Sequence, residues 1–199
     1  MRKSQRLTLV LAAVACAGLA GCTESGSPVP ISTPPGSNAA PTEQAGKHGA
    51  PAIANPLEPG RYFDDPCTLF SEDELKSFNL GRRLDAPVST GPSCAWYDSA
   101  EHGLYAVVFN ERNTDGLGTI YKANGEDKLG YFEPTTVNDY PAALADAGED
   151  NRKSGDCNVF VGINSGMAFN VSVSLGDPAT ACTSVQEIAS VVVDKLKEG

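Results

Sequence analysis

Histidine is almost missing from this chain, with His48 and His102 the only two in 199 residues. Hydrolysis by a serine triad needs a histidine base beside its nucleophile. His48 lies in a proline-rich stretch, and His102 lies between Glu101 and Gly103 in a hairpin-turn pattern. Gly162-Ile163-Asn164-Ser165-Gly166 matches a nucleophile elbow only loosely, because its serine is displaced by one position and no strand-to-helix turn follows. Phosphate-cradling GxxxxGK[ST] and GxGxxG runs are absent, so nothing points to nucleotide binding. The cysteines show no CxxC spacing, and zinc wants three or four ligands set close together. Glu111–Gly116 alternates oxygen-bearing side chains as a calcium loop does, but Lys122 stands where the closing glutamate belongs, which leaves a polar turn. Neither a metal nor a cofactor is expected.

Cations are also scarce. The 15 Lys and Arg face 25 Asp and Glu, and three of the cations (Arg2, Lys3, Arg6) fall in the first 21 residues. Without that segment the net charge is −13. Such a balance excludes phosphate-backbone binding, which needs clustered cations, and it excludes polybasic attraction to anionic lipid. The 14-residue apolar run Leu7–Ala20 falls short of the roughly 20 residues a spanning helix needs.

What is present starts with that run. A basic start, a short apolar region and Leu19-Ala20-Gly21-Cys22 make a lipobox, in which Cys22 becomes the new N-terminus and carries acyl chains. Cys16 fits less well, because Ala13 stands where a larger aliphatic is wanted. Residues 1–21 are thus read as a lipoprotein signal peptide, and the protein is expected on the extracytoplasmic face of the cell membrane. Each buried CH₂ of an acyl chain contributes about 0.8 kcal/mol to that attachment.

Residues 22–56 read as a flexible tether. Eight of the 14 prolines lie between Pro28 and Pro59, and no aromatic occurs from Thr23 to Arg61. Too little apolar surface is available there to offset chain entropy. Residues 57–199 are enough for one domain.

The strongest pattern in that domain is a hairpin. Cys157, Val159, Val161 and Ile163 alternate with other residues, as do Met167, Phe169, Val171, Val173 and Leu175. Period-two alternation marks a half-buried strand. A three-residue Asn164-Ser165-Gly166 loop, with Gly166 able to take positive φ, sets Ile163 opposite Met167, Val161 opposite Phe169, Val159 opposite Val171 and Cys157 opposite Val173. A one-residue slip would oppose apolar to polar throughout. Asp177 as cap and Pro178 in the first turn then open a helix whose stripe is Cys182, Val185, Ile188, Ala189, Val192 and Leu196. Cys157 on the sheet face and Cys182 on the stripe packing that face are paired, which leaves Cys67 with Cys94. Disulfides are expected in an exported chain, and each of these closes a loop of about 26–28 residues, adding about 3–4 kcal/mol in the chain-entropy model.

Ser71-Glu72-Asp73-Glu74 is a capping box opening a short helix with Leu75 and Phe78. Cys94–Tyr97 and Leu104–Asn110 read as strands, Asn113–Gly118 as a turn, Thr119–Ala123 as a short helix, and Leu129–Glu133 and Ala142–Ala145 as short strands. The fold class is α+β: a single mostly antiparallel sheet with flanking N- and C-terminal helices and two disulfides. Asp64-Asp65 and Glu149-Asp150 flank turns, and no acid pair stands out. Trp96 shares a strand face with Cys94 and is placed in the core. Trp96, Tyr105, Tyr131 and Tyr140 are the aromatics considered as pocket lining, with core packing the commoner role.

Asp65-Pro66-Cys67 before a helix, Leu80-Gly81, Cys94-Ala-Trp96, Tyr140-Pro141-Ala142, Cys157-Asn-Val159 and a last Cys182 at the terminal helix, behind a lipobox and proline-rich tether, form a set. Over about residues 60–198 it resembles the actinobacterial lipoproteins of the domain-of-unknown-function 3558 family. Residues 176–182 depart from the usual arrangement by a wider Pro-to-Cys spacing. The resemblance implies an exported, membrane-tethered domain and supplies no reaction.

The expectation is therefore an envelope lipoprotein whose domain binds a small molecule or an envelope protein without catalysis. The rivals are an enzyme using a carboxylate pair and a purely structural surface module. The partners expected are the membrane, through the acyl chains, and that unidentified ligand, with no nucleic acid.

Overall fold

The structure is a computed structural model that describes residues 46–84 and 91–199. Cys22 and the signal segment lie outside the described residues, as does the tether before Gly46. The elements run α1 (Arg61–Asp64), α2 (Glu72–Ser77), β1 (Leu80–Leu84), β2 (Ser93–Asp98), β3 (Leu104–Phe109), α3 (Gly118–Gly125), β4 (Leu129–Val137), β5 (Tyr140–Ala147), β6 (Cys157–Asn164), β7 (Met167–Ser174) and α4 (Ala181–Glu198). The seven strands form one sheet in the order β1-β2-β3-β7-β6-β5-β4, and every neighbouring pair is antiparallel.

Alternation decides the faces. Val159, Val161, Phe169, Val171 and Val173 are buried on one side, against Val185, Ile188, Ala189 and Val192 of α4. Trp96 joins this core, with Phe70 edge-on at 5.5 Å. Truncating a fully buried side chain such as Phe169 to alanine costs about 3–5 kcal/mol. The opposite face carries a smaller core of Ala50, Leu117, Ile120, Ala143 and Ala145.

Both disulfides form as the patterns require. Cys67–Cys94 ties the turn before α2 to β2, and Cys157–Cys182 ties β6 to the first turn of α4. The β6–β7 register holds at Cys157↔Val173, Val159↔Val171 and Val161↔Phe169. It departs at the tip, where Asn164, not Ile163, faces Met167 across a two-residue Ser165-Gly166 turn. There Asn164 Oδ1 accepts from the Gly166 amide and its Nδ2 donates to the Leu57 carbonyl, so the asparagine is held by its own side chain. Gly166 does not use positive φ.

The terminal helix starts at Ala181, four residues after the expected cap. The Asp177 carboxylate accepts from the Ala179 amide, and its carbonyl accepts from Thr180 and Ala181. This local Asx turn competes with capping. Strand β1 is absent from the sequence expectations, because Leu80 is the only one of its residues that is buried. The β4–β5 hairpin is longer than expected. It closes through Asn138-Asp139, both with positive φ (47° and 71°), the geometry of a type I′ turn. Pro134 lies on the outer strand β4, where a missing N–H costs no ladder bond on the open side.

Composition places residues 46–56 in the tether. In the structure they lie against the domain. Ala50 is 3% exposed, Ile53 packs on the main core, and the Asn55 carbonyl accepts from Tyr140 Oη at 2.8 Å. Proline density reports the loss of helix and sheet, not the loss of tertiary contact.

Candidate functional site

This N-terminal strap forms one wall of a hollow. The hollow is a groove of about 830 Å³ bounded by the strap, the start of α3 and the β6–β7 turn. Pro51, Ile53, Leu117 and Met167 supply apolar lining, while Lys47, Glu58, Asp115 and Ser165 supply polar groups. Gly162 lets the wall close in. A Cβ there would sit 3.1 Å from Leu117 Cβ and 3.2 Å from Ile53 Cδ1, tighter than ordinary packing permits.

Hydrogen bonds and one charge cluster hold the strap. The Leu57 amide donates to the Ile163 carbonyl at 2.7 Å, and the Leu57 and Asn55 carbonyls accept from Asn164 Nδ2 and Tyr140 Oη. Asp115 receives Lys47 Nζ on one oxygen and His48 Nε2 on the other, each at 3.0 Å. The Lys47 and His48 hydrogen bonds hold the Asp115 carboxyl below the usual aspartate range. Asp115 is positioned by its own loop. Asn113 Oδ1 accepts from the Asp115 amide and the Thr119 hydroxyl, and Asn113 Nδ2 donates to the Gly116 carbonyl. The oxygens of the calcium-like run thus serve a turn and an ion pair.

The four aromatics considered as pocket lining do not meet at the groove. Trp96 and Tyr105 face each other across β2 and β3, over a crevice too narrow to admit water. Burial raises the Tyr105 phenol, with hydrogen bonding to Ser184 opposing it. Tyr131 lies beside the second disulfide. Its hydroxyl is 3.9 Å from Cys157 Sγ and accepts from the Asn158 amide at 3.1 Å, and burial pushes its pKa up to about 12. Tyr140 is held by Asn55, and the Lys197 ammonium sits 5.6 Å from its ring centre. All four are committed to packing because alternation directs them to the α4 side or to the sheet rim.

Among the acids, Asp146 is nearest to a proton donor. Burial raises its carboxyl, and the charge of Asp156 adds to that. Its oxygen already accepts from the Ala147 amide, while Asp156 accepts from Leu175, and neither residue lines the groove. Among the described residues no three of His, Cys, Asp and Glu gather as a metal site, and no helix is long and apolar enough to cross a membrane.

A family described as "Protein of unknown function (DUF3558)" matches residues 17–195, nearly the whole chain. The chain belongs to the DUF3558 family. No curated protein and no solved structure matches it. In this DUF3558 domain sequence patterns did not single out Lys47 and Leu117, which help build the groove. Met167 was legible only as a strand residue of the hairpin, and Asp115 only as part of the polar run Glu111–Gly116.

Proposed function

We propose that this chain is an exported lipoprotein, anchored by acyl chains on Cys22 to the extracytoplasmic face of the cell membrane. Its disulfide-bonded domain binds an envelope ligand without catalysing a reaction. The groove is the observation that supports the binding half. Its volume of about 830 Å³ falls in the range usual for small-molecule sites. Concavity suits a small molecule or a short segment of an envelope protein better than a flat protein face, which needs about 800 Å² per partner. The lipobox supports the anchoring half.

Groove chemistry favours binding over acid–base work. Hydrogen bonds from Lys47 and His48 hold the Asp115 carboxyl below its ordinary range, which makes it a poor proton donor. The carboxylate-pair alternative has Asp146 and Asp156 as its best candidates, and both spend an oxygen on a backbone amide.

The test is purification of the full chain from native membranes, intact-mass analysis, and identification of what stays bound. The expected result is a diacyl or triacyl adduct on Cys22 and a ligand that Ala52→Trp, which fills the groove, displaces. A mature mass without lipid would remove the anchor. Turnover of a peptidoglycan, ester or glycoside substrate, abolished by one point substitution, would replace binding with catalysis.

A further inference from the structure

The second face of the sheet carries three asparagines in a row on neighbouring strands. Asn110 follows β3, Asn170 lies on β7 and Asn158 on β6. Asn110 Nδ2 donates to Asn170 Oδ1 at 3.3 Å, and Asn170 Nδ2 donates to Asn158 Oδ1 at 3.0 Å. Asparagine is depleted in strands. Asn170 is nevertheless only 8% exposed, and it is the one buried polar side chain among the described residues. A valine or threonine would fit the pleat without the desolvation of an amide. The ladder satisfies its middle member and, among the described residues, leaves an acceptor on Asn110 and donors on Asn158 uncommitted at its two ends.

Phe160 pairs directly with Asn170 across β6 and β7 and projects to the same face, with part of its ring exposed. Phe160 and Asn110 line a hollow of about 370 Å³ together with Arg112 and Thr119. Arg112 is exposed and pairs with no acid among the described residues, although the chain is strongly acidic. The hollow meets the groove only at Asp115.

We propose that this hollow is a saccharide site: the Asn110 amide, the ladder end that lines it, takes ring hydroxyls, Phe160 stacks on the C–H face of a sugar ring, and Arg112 takes an acidic substituent. An amide presents an acceptor and a donor side by side, which matches a vicinal diol, and a hydroxyl-rich ligand has both polarities to offer. The volume of about 370 Å³ suits one or two sugar rings. A single unpaired arginine favours a uronate over a neutral sugar and gives too little charge for a nucleic acid. The inference rests on the binding reading above and names its ligand class and its place.

The experiment is NMR titration of the full chain in detergent micelles with chitotriose, a neutral galactose trisaccharide and a galacturonate trisaccharide. Expected are shifts of the Asn110 side-chain amide and of Phe160, with galacturonate bound several-fold more tightly. Phe160→Leu should weaken binding about tenfold, the equivalent of one ring-stacking contact. Arg112→Gln lies on an exposed turn and should keep the fold while equalising acidic and neutral sugars. Equal affinities in the unmodified protein would take Arg112 out of the site. Shifts confined to Ile53, Leu117 and Met167 would overturn the saccharide site while leaving a ligand-binding groove. No shifts with any of the three, beside a different ligand carried from native membranes, would overturn it and leave the binding reading intact. Loss of the native ligand as well would end both.

Discussion

One carboxylate joins the two ends of the domain: Glu74 lies 2.9 Å from Lys195 Nζ in the last turns of α4, while its other oxygen accepts from the Ser71 amide and hydroxyl. The capping box of α2 is thereby also the docking point of α4. Lys195 first, then the Ser71 amide, lowers the Glu74 pKa to about 2.

A group with a depressed folded pKa stabilises above its unfolded value and loses that contribution as pH falls through the folded one. Glu74 therefore supports the fold above pH about 4.5 and ceases to do so as pH drops towards 2. Glu74→Gln should cost about 1–2 kcal/mol at pH 7, the cap and a partly screened ion pair together. It should also flatten the acid limb of stability. Urea titrations at pH 7 and pH 3 check this, and a loss of equal size at both would remove the ion pair from the account.

Asp115→Asn should loosen the strap without unfolding the sheet. Lys47 loses an ionic partner and His48 a carboxylate hydrogen-bond partner, and the wall of the groove loses its latch. Because these partners hold the Asp115 carboxyl below its ordinary range, the latch persists at neutral pH and opens as pH falls below that lowered value. Faster amide exchange at Ala50 and Leu57, with β6 and β7 unchanged, is the expected signature. Unchanged exchange would mean that the Leu57–Ile163, Asn55–Tyr140 and Leu57–Asn164 hydrogen bonds hold the strap without the ion pair.

Leu175 is 69% exposed and sits at φ 58°, where a side chain is disfavoured. Leu175→Gly should raise stability by about 1 kcal/mol, read as a higher urea midpoint at constant slope. A lower midpoint would show that leucine makes a compensating contact.

Replacing Cys157 and Cys182 together by serine should cost about 3 kcal/mol, or roughly 10 °C in Tm for a domain of this size. A Tm within error of the parent would show that the α4 stripe fixes the helix unaided.

The β6–β7 register was legible because period two allows one choice of face, and Cys157, Val159, Val161, Phe169 and Val171 all agree on it. The Ser71–Glu74 box was legible because capping needs only four consecutive residues. The start of α4 was misjudged because Asp177 has a competing local partner in Ala179. Strand β1 left no pattern, since an edge strand with one buried residue need not alternate.

Order along the chain, and little else, determines the disulfide pairing and the inner face of the central hairpin. These follow from local periodicity and from which side chains water rejects. The strap, the groove and the asparagine ladder were decided only by folding. Each is made where segments such as 46–58, 110–118 and 158–170 meet across the sheet, and no repeat in sequence records an encounter between residues so far apart.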